Sequence, residues 1–69
     1  MSVNDVVQFN KNHRLSGCLG VIRNVKKIKN DIRYMVELSS FKQPRIFLLI
    51  MKNENVIEKI GKSKYKNDY

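Results

Sequence analysis

Gly17-Cys18-Leu19-Gly20-Val21-Ile22-Arg23-Asn24-Val25, read with Ile32-Arg33-Tyr34-Met35-Val36-Glu37-Leu38 after a basic turn, has the pattern of the central hairpin of a very small β-barrel. Two glycines three residues apart precede alternating β-branched residues. Glycine admits positive φ, leaves room for close backbone approach and marks bulges, which is what bending a short strand around a small core requires. Gly20 is therefore expected at a bulge or a close-packed bend. In the second segment Ile32, Tyr34, Val36 and Leu38 share one face while Arg33, Met35 and Glu37 share the other. The first face is expected in the core and the second at least partly in water.

Working outward, Val6-Val7-Gln8-Phe9 reads as a first strand, begun after Asp5 and stopped by the polar loop from Asn10 to Arg14. Leu19 to Lys27 is the second strand and Ile32 to Leu38 the third. Between them Lys29-Asn30-Asp31 supplies turn chemistry, because Asn and Asp accept left-handed geometry. Arg45-Ile46-Phe47-Leu48-Leu49-Ile50-Met51 is apolar on both faces, as in a strand inside a barrel or one buried by a partner. Helix is the alternative: Pro44 suits a first helical position, and Ile46, Leu49, Ile50, Ile57 and Ile60 roughly follow helical spacing. Asn53 falls on that stripe, however, and Lys52-Asn53-Glu54-Asn55 resembles a turn before Val56-Ile57-Glu58-Lys59-Ile60, which favours two strands. The expected fold is all-β, a small five-stranded SH3-like barrel over residues 1–61 with a frayed basic tail over 62–69. A sandwich needs more strands.

A chain of 69 residues holds one domain and a modest core, with little room for an elaborate enzyme cavity. Its 42% hydrophobic content is that of ordinary folded chains despite the high charge. Formal net charge is +8, and since the segment after Gly61 supplies only +2, the basicity belongs to the domain. Cys18 is the sole cysteine, which excludes an internal disulfide and fits a cytoplasmic setting. Met1 to Asp5 lacks the pattern of a secretion signal, and the apolar run Ile46 to Met51 is too short to cross a bilayer.

Cys18-Leu19-Gly20-Val21-Ile22, Arg33-Tyr34-Met35-Val36, Ile46-Phe47 and Ile57-Glu58-Lys59-Ile60-Gly61, in that order, resemble small open reading frames of bacteriophages and prophages of low-GC Gram-positive bacteria. That group has no established activity, so the resemblance implies a phage setting in a bacterial host cytoplasm and no mechanism. The Gly17 to Val25 stretch is more distantly similar to the glycine-hydrophobic core of KOW-type SH3-like modules of ribosomal proteins and transcription elongation factors. The long apolar run Ile46 to Met51 departs from that pattern. The KOW likeness therefore implies a fold and carries over no nucleic-acid site.

Arg23, Lys26, Lys27, Lys29 and Arg33 crowd one hairpin, with Asp31 the only acid between its ends. Charges at a hairpin tip sum into a local positive potential able to attract phosphates. The competing reading is a solvated hairpin whose lysines maintain solubility and discourage edge pairing. Of the aromatic residues, Tyr34 alternates onto the core face. Phe41, in a turn with Lys42 and Arg45, suits base stacking or capping of a barrel end, and Tyr65 and Tyr69 sit among tail lysines. His13 and Cys18 lack companions at metal-ligand or catalytic spacing, and the acids are scattered.

Sequence therefore points to a non-enzymatic protein without metal or cofactor. It is expected to bind DNA or RNA through Arg23, Lys26, Lys27, Lys29 and Arg33, with Arg14, Lys42 and Arg45 as extensions. The alternative is a protein-interaction module, engaging a host or phage protein or a second copy through Phe47, Leu49 and Met51. No membrane partner is expected.

Overall fold

Burial alternates with a period of two along residues 5–9, where Asp5, Val7 and Phe9 turn inward, and again along 34–38, where Tyr34, Val36 and Leu38 do. The computed structural model describes residues 1–39 and 44–62. These residues form five strands, β1 (Asp5–Phe9), β2 (Leu19–Ile28), β3 (Asp31–Leu38), β4 (Phe47–Met51) and β5 (Ile57–Lys62). All pairings are antiparallel, and the single sheet runs β4-β3-β2-β1-β5. The sheet is open, with β4 and β5 as its two edges.

The apolar run after Pro44 is strand rather than helix. A 3-10 turn, Lys52–Glu54, follows β4, and Asn55 leaves it with a left-handed φ of 56° before β5 begins. Glu54 Oε2 accepts the Met51 backbone N–H at 2.8 Å and so closes the turn. The Asn10 amide donates to the Asn55 carbonyl at 2.9 Å, and its backbone N–H donates to Val56 O at 2.9 Å, fastening the loop after β1 to this junction. β5 continues through Gly61 to Lys62, which pairs with Asp5. The rest of the tail, with Lys64, Lys66, Tyr65 and Tyr69, lies outside the described residues.

Two register shifts bend the sheet. In β2 the pairing passes from Ile22 opposite Val36 to Asn24 opposite Met35, leaving Arg23 as the extra residue. In β5 the pairing passes from Gly61 opposite Val6 to Lys59 opposite Val7, leaving Ile60 unpaired. An extra residue kinks a strand and sharpens its twist. Gly20 is not the bulge: its role is close approach, since a Cβ there would lie 2.5 Å from Val36 Cγ1 and 3.1 Å from the Glu37 carbonyl oxygen. Positive φ falls instead on Gly17, at 88°, in the loop that leads into β2.

Val7, Phe9, Ile22, Tyr34, Val36, Leu38, Ile50, Val56 and Ile57 form one buried cluster, drawn from all five strands and the approach to β5. Cys18 packs half-buried at its margin. His13 stacks its ring 4.7 Å from Phe9, and its Nδ1 accepts the Leu15 N–H at 3.0 Å, so the histidine closes its own loop. Asp5 is buried at 1% exposure beneath the start of β1, where the Ser2 backbone N–H donates to its Oδ2 at 2.8 Å and Lys59 stands 3.6 Å from its Oδ1. The Ser2 hydrogen bond lowers the Asp5 pKa, Lys59 adds to that effect, and burial opposes it.

Candidate nucleic-acid interface

Directly opposed residues of neighbouring strands share a face, so the registers of β2, β3 and β4 fix the rungs of the outer surface. One rung holds Val21, Glu37 and Phe47; the next holds Asn24, Met35 and Leu49; the third holds Lys26, Arg33 and Met51. The cations expected to act together are thereby divided into three groups.

The first group surrounds Glu37. Arg23, projected by the bulge, donates from Nε to Glu37 Oε1 at 2.9 Å. Arg45, just before β4, donates from Nε to Oε2 at 2.8 Å and from Nη2 to Oε1 at 3.0 Å. Its guanidinium also stands 5.3 Å from the centre of the Phe47 ring. The hydrogen bonds from Arg45, then the one from Arg23, pull the Glu37 pKa down to about 2 against the opposing effect of burial. Two arginines with candidate phosphate-binding roles are thus held by an internal carboxylate.

The second group is Lys26 and Arg33, which face each other directly across β2 and β3. Among the described residues neither forms a salt bridge. The third group gathers at the hairpin tip, where Lys27 and Lys29 meet Lys52 of the 3-10 turn around an open pocket of about 360 Å³. Lys29, not Asn30, takes the left-handed position of the turn, with φ 48°. Asp31 also lines this pocket; its Oδ1 accepts the Ile32 N–H at 2.7 Å.

Arg14 is exposed in the loop between β1 and β2, which joins the start of β2, whereas the tip lies at its far end. Ten strand residues span up to about 30 Å, so Arg14 does not join the tip. Lys42 and Phe41 lie outside the described residues. Phe47 and Leu49 stand on the outer face of the edge strand β4, 41% and 58% exposed, with half-buried Met51 beyond them. Alternation in the sequence carries no information on cross-strand partners, which is why the Glu37 anchor and the contribution of Lys52 escape a reading along the chain.

Among the described residues no three His, Cys, Asp or Glu side chains converge as a metal site, and no helix is long and apolar enough to cross a membrane. No protein-family model, curated protein or solved structure matches the chain.

Proposed function

We propose that this chain is a non-enzymatic nucleic-acid-binding domain that holds the phosphate backbone with the cations of the β2–β3 hairpin. The carrying observation is the directly opposed pair Lys26 and Arg33 on the outer face, with no carboxylate partner among the described residues. Like charges facing each other across strands destabilise a sheet, and a bound phosphate lying between them removes that repulsion. Lys27, Lys29 and Lys52 extend the positive surface around the tip. Contacts of this kind position a nucleic acid without reading its sequence. The two bulges, which curve five short strands around one core, support assigning the open sheet to the SH3-like barrels.

The direct test is fluorescence anisotropy with a labelled mixed-sequence duplex at increasing salt. Affinity should fall steeply as salt rises, because each phosphate contact releases condensed counterions. Replacing Lys26, Lys27 and Lys29 together by Glu should abolish binding while leaving the circular dichroism spectrum intact. Absence of binding by the unsubstituted protein at low salt would overturn the reading.

A second reading rests on a different observation, the exposed Phe47 and Leu49 on an open sheet edge. Apolar side chains beside unpaired strand backbone suit a protein partner or a second copy. Light scattering decides between these occupants: a dimer that Phe47→Lys converts to monomer would establish self-association through β4.

A further inference from the structure

The ladder between β3 and β4 fixes which backbone groups of the β4 edge are free. Leu38 N–H donates to the Ile46 carbonyl at 2.9 Å, and these residues continue the register in which Val36 opposes Leu48 and Tyr34 opposes Ile50. Hydrogen-bonded and non-hydrogen-bonded pairs alternate along an antiparallel ladder. Ile46, Leu48 and Ile50 therefore bond β3, whereas Phe47, Leu49 and Met51 aim their N–H and C=O groups away from it. The Met51 N–H donates to Glu54 Oε2 at 2.8 Å, which brings that carboxylate to the open side of the strand and closes one end of the edge. Among the described residues no strand pairs with the outward groups of Phe47 and Leu49, one N–H and one C=O on each.

The two edges of the sheet differ. β5 carries Glu58, Lys59 and Lys62 and is kinked where Ile60 is unpaired, features that hinder the addition of another strand. β4 reads Phe-Leu-Leu-Ile-Met, without a charge, a proline or a register shift. Charges stand instead at its two ends, exposed Arg45 before it and exposed Glu54 after it. Arg45 spends Nε and Nη2 on Glu37, which leaves the N–H groups of Nη1. Glu54 forms no salt bridge among the described residues, and Lys52, the other charge at that end, lines the tip pocket. An antiparallel copy of the same strand sets each charged end beside its opposite.

We propose that β4 pairs antiparallel with β4 of a second copy of this chain about a two-fold axis at Leu48, with Phe47 opposite Leu49 of the second copy and Leu49 opposite its Phe47. The proposal rests on the second reading above and commits it to one occupant and one register. The two opposed pairs exchange all the free N–H and C=O groups of Phe47 and Leu49, and Arg45 of each copy comes alongside Glu54 of the other, as an isologous contact requires. An axis at Leu49 would instead oppose Phe47 to Met51, whose N–H Glu54 already holds. The pairing joins two five-stranded sheets into one, with Phe47 and Leu49 of both copies on a single face. Each copy contributes one short edge, so the interface is small and the association depends on concentration.

The test is sedimentation equilibrium of the full chain from about 10 μM to about 1 mM, with amide hydrogen exchange measured across the same series. Salt at about 0.15 M screens the repulsion between two copies of formal charge +8. Apparent mass should approach twice that of the monomer, and exchange at the Phe47 and Leu49 amides should slow as the mass rises, while the Met51 amide, already bonded to Glu54, changes little. Arg45→Glu and Glu54→Arg should each remain monomeric, and their equimolar mixture should dimerise, because both end contacts are restored between the unlike copies. Circular dichroism checks the fold of each variant; should one unfold, exchange in the unsubstituted chain decides. A monomer at every concentration, a dimer whose Phe47 and Leu49 amides exchange as fast as in the monomer, or a mixture of folded variants no heavier than its components would each overturn the proposal. A capped peptide of alternating valine and glutamate separates the two levels of failure. If the chain stays monomeric while the peptide protects the same two amides, this inference alone fails; if neither occurs, the reading of β4 as an interaction edge fails with it.

Discussion

Gly20 and Glu37 show how single residues shape this protein. A side chain at Gly20 would enter the space of the fully buried Val36 and press on the Glu37 backbone, which cannot retreat without parting β2 from β3. Gly20→Ala should therefore lower stability by about 1–3 kcal/mol in denaturant unfolding; an unchanged midpoint would mean that the two strands are free to separate there. Glu37 makes a second prediction through its pKa. Its folded value, about 2, lies below its ordinary 4.5, so the stabilisation is present above the ordinary value and is lost as pH falls through the interval from 4.5 to 2. Glu37→Gln should flatten the acid limb of stability in that interval. The same substitution releases Arg23 and Arg45, and tighter duplex binding should accompany it. A variant with an unchanged acid limb would remove the Glu37 cluster as a source of pH dependence.

At the scale of elements, the period of two in Ile32 to Leu38 was legible because alternate side chains of a half-buried strand face alternate media. Tyr34, Val36 and Leu38 are buried and Met35 and Glu37 half-exposed, as that alternation requires. The strand from Phe47 to Met51 followed from turn chemistry at Lys52 to Asn55, and that stretch does turn. Of the two roles open to Gly20, a bulge or a close-packed bend, the close packing against Val36 holds, and the extra residue is instead Arg23, whose side chain gains Glu37 as partner. Nothing local in Arg23-Asn24 reveals a partner fourteen residues away. Similarly, Asn30 and Asp31 accept left-handed geometry most readily in this turn, yet Lys29 takes it. Lys29→Gly should raise stability by a few tenths to about 1 kcal/mol by relieving the backbone, while weakening nucleic-acid binding through loss of an ammonium. A loss of stability would show that the turn bears no strain.

The whole molecule distributes its charge unevenly. Arg23 and Arg45 share the single carboxylate of Glu37 at one end of the outer face, whereas Lys26 and Arg33 have no salt-bridge partner among the described residues and the tip lysines surround a pocket that Asp31 also lines. The basic hairpin was visible in sequence as a run of cations, but its division among three clusters depended on register, and Lys52 joins the tip only through folding. A protein ending at Lys62 retains all five strands of the described residues and these clusters, so it should bind a duplex with a salt dependence only modestly shallower than that of the full chain. The most direct measurement is a map of amide shift changes on adding a mixed-sequence duplex at low salt. The account predicts changes concentrated on Asn24, Lys26, Lys27, Lys29, Arg33 and Lys52, vanishing as salt rises. Changes confined to Phe47 and Leu49 on the open edge, or none at all, would contradict it.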